Sequence, residues 1–316
     1  MPNGASAPRQ EVTNHGVGHC AAWLSIFAKT PMKRTLVLWL VRHGLPAWLL
    51  PEYFQLAAIA AIAASAIALW FAKRDGASVV HTTRALACAY LGALVGGYLF
   101  ESLRALPGAV VAGSWHAVVH PGRAAYGGLL VGGASAALYL WRNRQPLEPF
   151  FDRAAIGTGL GFALVRSGCF IAGCDYGLPT ALPWAVRFPP GSLAALDHAR
   201  HGFVPVGSPS LPVHPTQLYE VLIGLVGAAA SAVPLVRGRR DGSAFATFLA
   251  IYAVGRFAIE FLRGDQERGH ALSLSTAQWV SVALVVSLAI RFLRRPGRLV
   301  DDTRVGVPST MSPRAI

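Results

Sequence analysis

The sequence predicts an all-α polytopic membrane protein with about seven transmembrane helices, its N-terminus outside and its C-terminus in the cytoplasm. Three observations lead there. Only 14% of the 316 residues are charged and the mean hydropathy is +0.45, whereas soluble domains average about 25% charged. Apolar runs near the roughly 20 residues that a helix needs to cross a bilayer lie at about 53–72, 84–104, 124–142, 154–174, 216–236, 243–263 and 275–293. Basic residues then follow every second run: Lys73 and Arg74, Arg142 and Arg144, Arg237, Arg239 and Arg240, and finally Arg291, Arg294, Arg295 and Arg298. Positive charge in short loops marks the cytoplasmic side, which fixes the predicted orientation. Lys29, Lys33, Arg34 and Arg42, before the first run, fall on the predicted outer side against that trend.

Taken in order, residues 1–34 read as a disordered N-terminal extension. They lack the basic start and apolar core of a cleaved signal peptide. The shorter run 35–50, "TLVLWLVRHGLPAWLL", is interrupted by Arg42, His43 and Pro46 and reads as an interfacial or re-entrant segment. The membrane domain is expected over 35–295. Its runs are rich in Ala and Gly ("LAAIAAIAASAIAL", "GGLLVGGASAAL"), residues that let transmembrane helices approach closely. The longest connection, 176–214, faces outward. It is rich in Pro and Gly, with one strand-like piece, "WAVRF", and its aromatic content argues against disorder. Residues 296–316 read as a disordered cytoplasmic tail.

The net charge of +13 would suggest nucleic acid in a soluble protein. Here the basic residues lie between apolar runs, so anionic headgroups and topology account for them, and no nucleic-acid partner is expected. The four cysteines, Cys20, Cys88, Cys169 and Cys174, are too few for a disulfide scaffold and lack paired zinc spacing. His116 and His120 in "HAVVH" are a weak metal candidate, and no metal site is assigned.

Charged residues at bilayer depth cost about 2.5–3.5 kcal/mol each and usually face a polar interior. Three clusters carry that cost. "VRSGCFIAGCDYG" (165–177) holds Arg166, Cys169, Cys174 and Asp175 among glycines. "HPTQLYE" (214–220) starts a run with Pro215, suited to a first helical turn, and puts Gln217 and Glu220 on one face. "YAVGRFAIEFLRGD" (252–265) places Tyr252, Arg256, Glu260 and Arg263 at i, i+4, i+8 and i+11, one helical stripe. Its two arginines against one glutamate leave positive charge, and the guanidinium fork suits phosphate. A structural ion pair is the competing account. In one regular helix Cys169 and Cys174 would be separated by about 7.5 Å of axial rise, too far for a disulfide unless Gly173 breaks the helix. Inert packing thiols, a bridge and a part in the chemistry all stay open.

These stretches, with "YGGLLVGG" (126–133) and "FPPGS" (188–192), resemble the prolipoprotein diacylglyceryl transferase family in order and spacing over most of 50–295. "HPTQLYE" is the most specific match. The resemblance implies a seven-span enzyme of the bacterial inner membrane. Such an enzyme moves the diacylglyceryl group of phosphatidylglycerol to the lipobox cysteine thiol in a preprolipoprotein signal peptide, releases glycerol phosphate and needs no cofactor. A divergent transferase with another acceptor, or a non-catalytic phospholipid-binding homologue, is the alternative. Carried onto this chain, the catalytic set is Arg166, Arg256, Tyr126, Glu220 and Glu260. The substrate-binding set is Arg166, Tyr252, Gly127, Gly128, Cys169, Gln217 and His214. The family pattern has His where this chain has Tyr126, Asn at Cys169 and Ala172, and Glu at Cys174.

Overall fold

The computed structural model describes residues 53–113, 115–119, 125–264, 270–271 and 274–294. The expected N-terminal extension, the 35–50 segment and the C-terminal tail lie outside the described residues, as does His120. In chain order the helices are α1 (Tyr53–Arg74), α2 (Val79–Ala112), the single turn α3 (His116–Val119), α4 (Ala125–Arg142), α5 (Leu147–Ala172), α6 (Leu193–Arg200), α7 (Thr216–Val236), α8 (Ser243–Glu260) and α9 (Thr276–Leu293). The strands β1 (His270–Ala271) and β2 (Leu274–Ser275) pair antiparallel just before α9.

The all-α polytopic class holds. Helices α1, α2, α5, α7, α8 and α9 are long and apolar enough to cross a membrane. The predicted run 124–142 forms α4, whose 18 residues include four glycines, two tyrosines and Arg142 and so do not reach that apolarity. At 34 residues, α2 would rise about 51 Å, well beyond the ~30 Å hydrocarbon core. It runs through Pro107.

Small residues set the packing. A Cβ on Gly159 of α5 would lie 2.8 Å from the Gly224 carbonyl of α7, and one on Gly157 would lie 2.7 Å from Ala64 Cα of α1. Gly96 of α2 and Gly127 of α4 face each other so closely that a Cβ on either would collide with the other's carbonyl. Backbone approach replaces the hydrophobic drive that lipid removes.

The Arg-rich ends of the helices are laced by polar contacts. Asp75, after α1, accepts from Arg153 of α5 at 3.0 Å and from Arg240 beyond α7 at 2.5 and 2.9 Å. Asp152 of α5, fully buried, accepts from the Gly242 and Phe245 amides at 2.7 and 3.0 Å. It therefore caps α8, whose own N-cap, Gly242, has no side chain to do so. Arg291 of α9 pairs with Glu148 of α5 at 2.8 Å.

At the opposite end, the connection after α5 is folded. Tyr176, Phe188, Ala194 and Val213 form a buried cluster, with Phe170 of α5 and Val186 packed on it. The strand-like piece pairs Val186 with Val213. Helix α6, not anticipated from the sequence, starts on Ser192, whose hydroxyl accepts from Ala195 N at 3.2 Å. Leu178 N donates to Leu262 O and Gly264 N to Tyr176 O, so this loop ties the end of α5 to the end of α8.

Arg240, and then Arg153, hold the Asp75 carboxyl below the ordinary carboxylate range against its partial burial. A carboxyl lowered on folding stabilises fully above its unfolded value near 4 and loses that contribution as pH falls through the folded one. Wild type should therefore lose thermal stability in detergent on acidification below about pH 4. Asp75→Asn should be less stable at pH 7 and flatter over that acid range; thermal scans across pH test this.

Candidate functional site

Three helix ends meet at one place, and each brings a charge. Arg166 comes from the last two turns of α5, Glu220 from the start of α7, and Arg256 and Glu260 from the end of α8. Arg166 Nε lies 3.0 Å from Glu220 Oε2 and Arg256 Nε 3.5 Å from Glu220 Oε1. One carboxylate, 1% exposed, thus stands between two guanidiniums. Arg256 Nη1 also pairs with Glu260 one turn on.

A second bridge extends the network. Arg166 Nη1 donates to Asp175 Oδ2 at 2.8 Å, and Arg263 donates to the other oxygen of the same carboxylate. Arg263 was expected on the α8 stripe. The helix ends at Glu260, and Arg263 lies beyond it, in an isolated bridge with Gly177. The expected net positive cluster is likewise corrected: Arg166, Arg256 and Arg263 meet Asp175, Glu220 and Glu260, three cations against three anions. Desolvation at this depth is severe unless charges are paired, which accounts for the balance.

Asp175 is the residue whose part the sequence underrated. On a continued helix it would point about 100° away from position 174. The helix instead stops at Gly173, whose φ of +72° is a left-handed C-cap. Asp175 follows with φ +58°, and the turn swings its carboxylate back to Arg166. The signal was present in the sequence: a glycine directly after an apolar helical run. Helix α7 fastens the turn. Thr216 donates to the Asp175 carbonyl at 2.6 Å and Gln217 Nε2 to the Cys174 carbonyl at 2.5 Å.

Aromatic rings back the arginines. The Arg166 guanidinium lies 5.3 Å from the centroid of Phe162, a cation–π contact. Tyr252 meets Phe162 edge-on at 5.1 Å and stacks on Phe248. His214 sits at the rim: its Nδ1 lies 3.3 Å from the Tyr219 hydroxyl, which accepts from Trp184 Nε1 at 2.8 Å. This Trp–Tyr–His chain was not foreseen. Gly127 and Gly128 face α2, where Cβ atoms would press on Gly96 and Ala93, so close helix packing accounts for them. Tyr126 is the second residue of α4.

Cys169 and Cys174 are free thiols. The break at Gly173 brings their sulfurs and an Asp175 oxygen within 4.8 Å of one another, a group that could hold a metal ion. Arg166 Nη1 lies 3.9 Å from Cys169 Sγ.

The fold and this network define a polytopic membrane protein with buried, carboxylate-ordered arginines at the meeting of three helix ends. The prolipoprotein diacylglyceryl transferase family model matches residues 48–294, and the chain belongs to that family. Among similar proteins, the phosphatidylglycerol–prolipoprotein diacylglyceryl transferase of Polynucleobacter asymbioticus is 35% identical over 65% of this chain and 74% of its own length. That of Clostridium tetani is 31% identical over 51% and 59%. A second such transferase of Streptomyces coelicolor is 35% identical over 54% and 52%. The chain thus spans little more than half the length of some relatives it matches.

Replacing Glu220 should destabilise the whole site, because it leaves three buried guanidiniums, Arg166, Arg256 and Arg263, against two carboxylates, Asp175 and Glu260. Glu220→Gln is expected to cost about 3–5 kcal/mol of stability, the range for breaking a buried pair. An Arg166→Met/Glu220→Gln double variant should recover part of the loss. Denaturation in detergent measures both, and a neutral Glu220→Gln would contradict the shared-carboxylate reading.

Proposed function

We propose that this protein transfers the diacylglyceryl group of phosphatidylglycerol to the lipobox cysteine thiol of a preprolipoprotein. The observation that carries the proposal is the Arg166–Glu220–Arg256 bridge. It holds two buried guanidiniums on the two sides of one carboxylate, an arrangement that suits a phosphodiester contacted from two sides. The family membership supports the same reading.

In the reaction the acceptor sulfur attacks the sn-3 carbon of the glyceryl unit. The C–S bond forms, the C–O bond to phosphate breaks, and its electron pair stays on the departing glycerol phosphate. The phosphate goes from one negative charge to nearly two, and the thiol proton ends on it or in water. Donors fixed where charge grows lower the barrier most, which is the task of Arg166 and Arg256. Glu220 and Glu260 orient them, and Asp175 completes the hold on Arg166 where the family pattern has a glutamate one position earlier. Tyr252 offers a hydroxyl beside the headgroup. His214 lies at the approach and Cys169 beside Arg166, Gln217 holds the turn that carries Asp175, and Gly127 and Gly128 serve by letting α4 pack against α2. Tyr126 donates a hydrogen bond to the lipid, since a phenol with a pKa near 10 is a poor base at neutral pH.

The same reading puts the N-terminus and the 176–214 loop outside a bacterial inner membrane, with the Arg-rich helix ends on the cytoplasmic side. The substrates then come from two directions: phosphatidylglycerol from the bilayer and the signal peptide from the membrane's outer side.

The test is direct. Protein in vesicles with labelled phosphatidylglycerol and a lipobox peptide should yield a thioether-linked lipopeptide and glycerol phosphate. Arg256→Lys and Arg166→Lys should each lower the rate at least about 100-fold, the scale of losing an oriented donor. No product from folded wild type would overturn the proposal.

A further inference from the structure

We infer that Cys169 and Cys174 are a redox modification site, closing a reversible disulfide across the end of α5 beside Arg166. On a continued helix the two residues would be about 7.5 Å apart in axial rise alone. The left-handed turn at Gly173 folds position 174 back, with Cys174 N donating to Cys169 O at 3.2 Å. The sulfurs then lie within 4.8 Å of each other, both as thiols. Cys169 is 5% exposed and Cys174 half-buried, so Cys174 is the thiol an oxidant meets first and Cys169 the resolving one.

A metal ion is the competing occupant, and the surrounding charges disfavour it. The third ligand, Asp175, is already bonded to Arg166 and Arg263, and the Arg166 guanidinium lies against Cys169 Sγ. A cation there would displace two guanidiniums into their own repulsion, whereas a disulfide adds no charge. The outward side proposed for this end is the oxidising one, where disulfides persist.

The oxidant is a small-molecule disulfide such as glutathione disulfide. The Cys174 thiolate attacks one of its sulfurs and releases one glutathione thiol. The Cys169 thiolate then attacks the Cys174 sulfur, forms the bridge and releases the second. Two protein thiols lose two electrons and two protons, and one disulfide gains them. Closing to a bond of about 2.05 Å draws residue 174 toward the helix. Asp175, next in the chain, is drawn with it and slackens its grip on Arg166. Oxidation should therefore slow the reaction; this consequence rests on the transferase reading, while the bond itself does not.

The experiment treats Cys20→Ser protein with glutathione disulfide, alkylates remaining thiols and maps the peptides. Cys169 and Cys174 should lose alkylation together, with Cys88 still alkylated, and dithiothreitol should restore both. The transfer rate should fall at least several-fold and recover on reduction. In Cys174→Ser the ratio of oxidised to reduced rate should stay near one. Free Cys169 and Cys174 after treatment, a glutathione adduct without a bridge, or zinc protection of both thiols with no bridge formed would overturn the site. A bridge with an unchanged rate would overturn the switch. Failure of the reduced protein to transfer would sink the transferase reading, with the peptide map still deciding the bond.

Discussion

Glu220 is held between the guanidiniums of Arg166 and Arg256 in a region that excludes water, and much of the molecule follows from that. A carboxylate can serve two arginines only if the helices carrying all three stop at the same depth and lie nearly in contact. Gly159 and Gly224 supply the contact between α5 and α7. The left-handed cap at Gly173, the start of α7 at Thr216 and the end of α8 at Glu260 supply the common depth. The loop over 176–214 then fixes these ends: Leu178 N donates to Leu262 O, and Gly177 N and Val186 N donate to His214 O and Val213 O just before α7. Gly177 is obligatory there, since a Cβ would lie 2.6 Å from that of His214.

The two ends of the bundle use charge differently. At the Arg-rich end, carboxylates serve backbone and assembly: Asp152 caps α8, and Asp75 joins α1 to α5 and the loop beyond α7. At the other end the charges face one another in an alternating string, Arg263–Asp175–Arg166–Glu220–Arg256–Glu260. Its balance makes it tolerable in an apolar setting. Each carboxylate in the middle is shared, so an arriving phosphate can take over one partner without leaving a bare guanidinium. Neutral at rest and responsive to one added anion, the string suits a headgroup site better than a bare positive pocket would.

Most of the helical architecture was legible because hydropathy reports burial in lipid directly; α7, predicted over 216–236, is Thr216–Val236. The polar clusters were legible because charge at membrane depth demands a reason. What escaped came from local backbone geometry. Asp175 and Arg263 both lie just beyond a helix end, where a helical projection places them wrongly. Helix α6 and the Tyr176–Phe188 cluster escaped because their apolar residues show neither a spanning run nor a clear period. The neutrality of the site could be seen only once Asp175 was known to turn inward.

The central claim is that Arg166 and Arg256, ordered by Glu220, hold one phosphate between them. An experimental structure with phosphatidylglycerol bound tests it most directly. The account predicts phosphate oxygens within hydrogen-bond distance of both guanidiniums, with Glu220 still touching at least one. A headgroup seated elsewhere, with the Arg166–Glu220–Arg256 bridge closed and undisturbed, would contradict it.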